Sequence, residues 1–281
     1  MNTREKPKVV GSATAMNTHR RCLMKAQEQT IITSNWRSLP RALCTLFLCM
    51  GALWAMPGSA RAQLYVGQYG SGIIGEYNAT TGAPINANLI TGLDGPIGFL
   101  LSGNRLFVAN ALGGTVGEYN ADTGAPINAN LITGLSYPGW VLLSGNDLFV
   151  AILGGTTVGE YNATTGAAIN ANFIPGLDGP DGLLRSGDHL FVANFNSGTV
   201  GEYNAITGAA INANFATGPG MPFPGGGPYG LALSDNHLFV ANSNSNTVWE
   251  YNATTGSVIN DSFIAGLSGP GGLVFRTTLS P

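Results

Sequence analysis

The sequence predicts an all-β protein, a five-bladed β-propeller of four-stranded antiparallel blades. Three observations carry the prediction. The word GEYNA at Gly75–Ala79 recurs from Gly117, Gly159 and Gly201, and as WEYNA from Trp249. The tyrosines of these words, Tyr77, Tyr119, Tyr161, Tyr203 and Tyr251, are spaced by 42, 42, 42 and 48 residues, the length of a four-stranded blade. Each copy also breaks into four short segments separated by Gly, Asn, Asp and Ser clusters, with no helical periodicity over ten or more positions.

Residues 177–215 show the four segments in order. GPDGLLRSG gives a first strand after a Gly-Pro turn, and DHLFVAN a second, rich in β-branched and aromatic residues. GTVGEYNA gives a third and INANF a fourth. The second segment is apolar on both sides, as a strand sandwiched between neighbouring blades must be. The fourth alternates, predicting Ile211, Ala213 and Phe215 inward and Asn212 and Asn214 toward solvent on an outermost strand. The ends are offset by one strand. QLYVGQ at Gln63 is a second strand with no first, and GPGGLVFRTTL at Gly269–Leu279 is a first strand with nothing after it. Pairing this C-terminal strand into the N-terminal blade closes five complete sets and removes two exposed edges.

Residues 1–62 read as a leader, and residues 63–281 as the propeller domain. A basic flank (Arg37, Arg41) precedes the apolar core 42–56, and Ala60 and Ala62 form a small-residue cleavage site. This is the pattern of a secretory signal peptide, too short to span a bilayer comfortably. A secreted or periplasmic protein is expected, with no membrane attachment after cleavage. All three cysteines lie in the leader, so disulfide, thiolate and cysteine–metal chemistry are excluded from the rest. Beyond it stand three arginines, no lysine and thirteen carboxylates, a balance of −10. Such a surface repels phosphate backbones, so nucleic acid is not an expected partner.

The unit GPxGLxLSxNxLFVANxxxGTVxEYNxxTG, seen in GPIGFLLSGNRLFVAN, GPDGLLRSGDHLFVAN and GPYGLALSDNHLFVAN, resembles the NHL and YVTN classes of β-propeller repeat. The resemblance covers essentially residues 63–276 and implies the propeller fold. Two departures accompany it. Ser102, Ser144, Ser186 and Ser234 stand where NHL repeats usually carry Asp, and the basic residues that NHL domains use on RNA are absent.

Each repeat carries a glutamate: Glu76, Glu118, Glu160, Glu202 and Glu250. The structural reading has them tying neighbouring blades or bonding turn amides, since a carboxylate between blades must be satisfied. The functional reading is a ring of carboxylates holding cations, calcium first among them. No D-x-D-x-D-G loop supplies the six or more oxygens that calcium takes, so no cofactor or metal is expected. His189 and His237 begin second strands and read as solvated turn ends.

Function in a ring of repeats is sought where the copies differ. The insertion PGMPFPGGG (219–227) carries Met221 and Phe223 on a Pro/Gly-rich loop. In the third copy SYPGWV replaces DGPxGL, putting Trp140 where the others have glycine, and Ile152 replaces Asn110, Asn194 and Asn242. Asp181 and Tyr229 occupy the variable site of the Pro-x-Gly turn. The expected ligand face therefore comprises Trp140, Asp181, Met221, Phe223, Tyr229, Asn194 and Asn242. No Ser-His-Asp set, HExxH motif or phosphate-cradling loop is present. The expectation is a monomeric binding or structural scaffold for a protein or glycan, without catalysis. The alternative is a metal-dependent, lactonase-like propeller hydrolase or lyase with its site in the central funnel.

Overall fold

The computed structural model describes residues 63–217 and 227–273. The leader, most of the 219–227 insertion with Met221 and Phe223, and the chain after Leu273 lie outside them. The described chain forms five antiparallel sheets arranged as the blades of a propeller. The first holds β1 (Gln63–Gln68), β2 (Ile73–Asn78) and β3 (Pro84–Ile90). The second holds β4 (Pro96–Ser102), β5 (Arg105–Asn110), β6 (Thr115–Asn120) and β7 (Pro126–Ile132). The third holds β8 (Pro138–Ser144), β9 (Asp147–Ile152), β10 (Thr157–Asn162) and β11 (Ala168–Ile174). The fourth holds β12 (Pro180–Ser186), β13 (His189–Asn194), β14 (Thr199–Asn204) and β15 (Ala210–Thr217). The fifth holds β16 (Pro228–Ser234), β17 (His237–Asn242), β18 (Thr247–Asn252) and β19 (Val258–Ile264).

The first strands β4, β8, β12 and β16 lie innermost and run close together. A side chain at Gly98 would collide with the carbonyl of Gly139, one at Gly182 with that of Tyr229, and one at Gly230 with that of Gly271. Residues 271–273 thus lie beside β16 where the next first strand belongs. The expected closing strand, Gly269–Leu279, passes out of the described residues after Leu273.

The core lies between blades. Leu106, Phe107, Val108 and Ala109 of β5 are all fully buried, as are their counterparts Leu148, Val150 and Ala151 on β9. Burying each large side chain of this kind contributes about 1.5–3 kcal/mol. The glycine of GEYNA has its own purpose. The ring of Tyr119 lies back over Gly117, where a Cβ would come within 2.7 Å of it. The fifth blade replaces this glycine by Trp249, which stacks on Tyr251 with centroids 6.1 Å apart and donates its indole N–H to Thr247.

The fourth strands differ from strict alternation. Ile211 is exposed, whereas the consecutive Phe215 and Ala216 are both buried. The pairing of β14 with β15 slips at Glu202, and the Asn214 amide donates to the Asn212 side chain at 3.1 Å. This local bond bulges the strand and turns two successive residues to one face.

One seam differs from the rest. Leu64 is 49% exposed and Phe263 47%, against 0% for Leu106 and 5% for Phe215 at the same repeat positions. Gly124, Gly166, Gly208 and Gly256 each sit against a carbonyl of the preceding blade, while Gly82 of the first blade has open space around it. All five have positive φ. An alanine at Gly82 or at Gly166 therefore carries backbone strain of about 1–2 kcal/mol. Gly166→Ala also drives its methyl into the Leu131 carbonyl, and is expected to lose at least about 2 kcal/mol more than Gly82→Ala. Urea unfolding of the two variants measures the difference.

Candidate functional site

The Pro-x-Gly turns and the loops between second and third strands bring Tyr69, Tyr137, Phe195 and Tyr229 together with the carboxyl of Asp181. Tyr69, just after β1, and Tyr137, just before β8, share a hydroxyl–hydroxyl hydrogen bond of 2.9 Å although 68 residues apart. Asp181, the second residue of β12, is 1% exposed, and its Oδ2 has no hydrogen-bond partner among the described residues. Gly139 lets β8 pass close to it, since a Cβ there would lie 2.5 Å from the Asp181 carboxylate. Tyr229, at the same position of β16, packs its ring against Phe195 with centroids 4.8 Å apart. Trp140 is half-buried, rests on the apolar core between the third and fourth blades, and reaches toward Gly272.

These groups influence one another's ionisation. Burial pushes the Asp181 carboxyl up to about 7. The Tyr137 hydroxyl is pushed up to about 12, first by its bond to Tyr69, then by burial and by the nearby Tyr69, Tyr229 and Asp181. Tyr229 is raised by burial and then by the charge of Asp181. The arrangement offers a carboxyl that is a hydrogen-bond donor when protonated and an acceptor above neutrality. Around it stand phenol hydroxyls and flat aromatic faces. That chemistry suits a ligand combining polar groups with a flat, partly apolar face.

The sequence pattern singled out Trp140, Asp181 and Tyr229, and the structure places all three at the inner strands. It missed Tyr69, Tyr137 and Phe195. Tyr137 stands where other copies have Gly95, Gly179 and Gly269, and adopts φ +52°, a strained conformation for tyrosine. Tyr69 and Phe195 share one repeat position, just after the second strand, where the other copies carry Ala111, Leu153 and Ser243. Variation at that position was the available signal.

Asn194 and Asn242 are buried at the ends of their second strands. The Asn194 amide donates to Thr199 across the hairpin at 3.4 Å, and Asn242 accepts from the Ser245 amide at 3.3 Å. Asp178 is exposed and accepts from Asn196 at 3.2 Å. Among the described residues, no group of three or more His, Cys, Asp or Glu side chains converges as a metal centre.

The repeated glutamates face the residues that begin the second strands of their own blades. Glu118 accepts from Arg105, Glu202 pairs with the His189 Nδ1 at 2.6 Å, and Glu250 with the His237 Nδ1 at 2.7 Å. The two histidines are thus partnered rather than merely solvated, because the hairpin register pairs Phe191 with Glu202 and Phe239 with Glu250, which sets the histidine two residues earlier diagonally beside the glutamate on the same face. In the third blade Asp147 takes this place, and burial followed by its charge raises the Glu160 carboxyl.

No family model matches the chain, and no curated protein matches it. Solved structures do. A streptogramin B lyase is 18% identical, with 76% of this chain and 70% of that one covered and a TM-score of 0.58. A catalytically inactive virginiamycin B lyase from Staphylococcus aureus, solved with quinupristin, is 14% identical over 76% and 71%, TM-score 0.56. The computationally designed Ika8 protein is 19% identical, TM-score 0.51, and the chain spans 63% of its length. The likeness is one of fold.

Asp181 makes stability depend on pH in a defined direction. At pH below the unfolded value of 3.8, folded and unfolded chains both hold the proton; between there and about 7 only the folded chain keeps it. Stability therefore falls as pH rises through that window and levels off above it, by up to about 4 kcal/mol. Asp181→Asn is expected to flatten this slope and to be the more stable protein at about pH 8. Urea melts of parent and variant at about pH 5 and about pH 8 measure it.

Proposed function

We propose that the protein is a binding propeller of the NHL/YVTN kind, and that it seats a protein or glycan ligand on the face bearing Tyr69, Tyr137, Trp140, Asp181 and Tyr229. The observation that supports this most is the approach of Tyr69, Tyr137 and Tyr229, from three different blades, to one buried carboxyl on a fourth, with Trp140 on the innermost strand beside them. Repeats that are otherwise near-copies differ at these positions, and the scaffold itself does not require a tyrosine at positive φ. Such outliers cluster where a ligand is held. Export through the signal peptide of residues 1–62, and action as a monomer outside the cytoplasm, belong to the same proposal.

A second reading is favoured by one observation. A carboxyl raised to about 7 is suited to moving a proton, and perturbed groups of this kind gather at catalytic centres. In that reading the funnel performs hydrolase or lyase chemistry with a divalent metal.

Screening the purified protein against an array of glycans and an array of peptides tests the binding reading. Trp140→Ala and Tyr229→Ala are each expected to weaken the ligand so identified by at least about tenfold while the fold is retained. Retained affinity in both variants overturns the assignment of this face. Stoichiometric divalent metal in the purified protein, with an activity lost in Asp181→Asn, replaces it by the second reading.

A further inference from the structure

The second blade contains a small recognition site already filled by the protein's own side chain. Arg105 begins β5 and meets three groups at once. Its Nε donates to the carboxylate of Glu118, its Nη2 donates to the carbonyl of Ala163 in the next blade at 2.7 Å, and its guanidinium carbon lies 4.7 Å from the centroid of the Phe107 ring. Carboxylate, carbonyl and aromatic face together match the planar fork and the cationic face of a guanidinium.

The fourth blade repeats this frame without the arginine. Phe191 faces Glu202 across the β13–β14 hairpin as Phe107 faces Glu118 across β5–β6. Ala253 of the fifth blade holds the repeat position of Ala163. His189 stands in place of Arg105, and it is too short to reach past Glu202 to the next blade. What remains is a groove of about 270 Å³ between the fourth and fifth blades, lined by His189, Phe191, Glu202, Asn236, Ala253 and Thr254 among others. The His189 side chain is 52% exposed, against 35% for Arg105, so the groove is reached from solvent.

The fifth blade carries the same histidine and glutamate, His237 and Glu250, whereas two other seams are occupied differently. Between the first and second blades the Tyr65 hydroxyl donates to the Ala121 carbonyl at 3.3 Å. Between the third and fourth, Asp147 sets a second carboxylate beside Glu160.

We propose that the groove between the fourth and fifth blades binds an arginine side chain presented by a protein or peptide partner, seated on Glu202, the Ala253 carbonyl and Phe191 as Arg105 is seated on Glu118, Ala163 and Phe107. The excess of thirteen carboxylates over three arginines beyond residue 62 steers a cationic partner toward this surface. The groove is separate from the funnel residues, so this proposal stands or falls apart from the reading above.

The test uses N-acetyl-arginine methylamide as the probe and N-acetyl-lysine methylamide as its control. The ring resonances of His189 are followed by NMR, assigned by their loss in His189→Gln. The expected result is a saturable shift with the arginine probe, with affinity near about 1 mM, and at least about tenfold weaker binding of the lysine probe. His189→Arg installs the resident guanidinium. It is expected to raise the melting temperature and to abolish binding of the probe, followed in that variant by the neighbouring Asn236 and Thr254 amides. Glu202→Gln is expected to abolish the shift while the circular dichroism spectrum is unchanged. The proposal is overturned if no saturable shift appears below about 10 mM, if the lysine probe binds equally well, or if probe binding survives in folded His189→Arg.

Discussion

A blade of this propeller has no interior of its own. Its second strand is apolar on both faces, and only the sheets on either side keep those faces from water. Leu106, Val108 and Leu148 are fully buried because a neighbour lies against them, while Leu64, at the same repeat position in the first blade, is half exposed. Stability is therefore a property of the seams, and the recurring details of the sequence serve them. The Thr-Gly turns reach back to a carbonyl of the blade before, and the GEYNA glycine makes room for a tyrosine that closes the inter-blade core.

The repeated carboxylates show how one requirement is met by different residues. Each glutamate sits near a seam with little exposure to water, and an unpaired charge there is costly. The second blade answers with arginine, the fourth and fifth with histidine. The third answers by an upward shift of Glu160 beside Asp147. Where the partner is long, in the second blade, it also bridges to the next blade; in the fourth blade, where it is short, a groove is left. A single hairpin register thus gives a structural clamp in one seam and an open pocket in another.

The funnel follows the opposite logic. Its inner strands approach so closely that three of them carry glycine at the position of contact. The third blade breaks the rule with Trp140 and places Tyr137 at positive φ just before it. The same crowding removes water from Asp181, which is why its carboxyl is raised without any charged neighbour as the leading cause. Structural regularity and chemical distinctiveness come from the same close packing.

Five sheets and the order of their strands were legible in the sequence, because a 42-residue period and turn chemistry act locally and repeat. Trp140, Asp181 and Tyr229 were legible for the related reason that they interrupt a repeated word. Tyr69 and Tyr137 were not, since nothing local relates two residues 68 positions apart; only the curvature of the ring brings their hydroxyls within 2.9 Å. The pairing of Glu202 with His189 and the bulge at Asn212 likewise depend on register, which a strand pattern leaves free until its neighbours are fixed. The sequence determined the blade and its number of copies, and the tertiary structure alone decided which side chains meet across the funnel and which seam stays open, because those contacts join residues that no local preference connects.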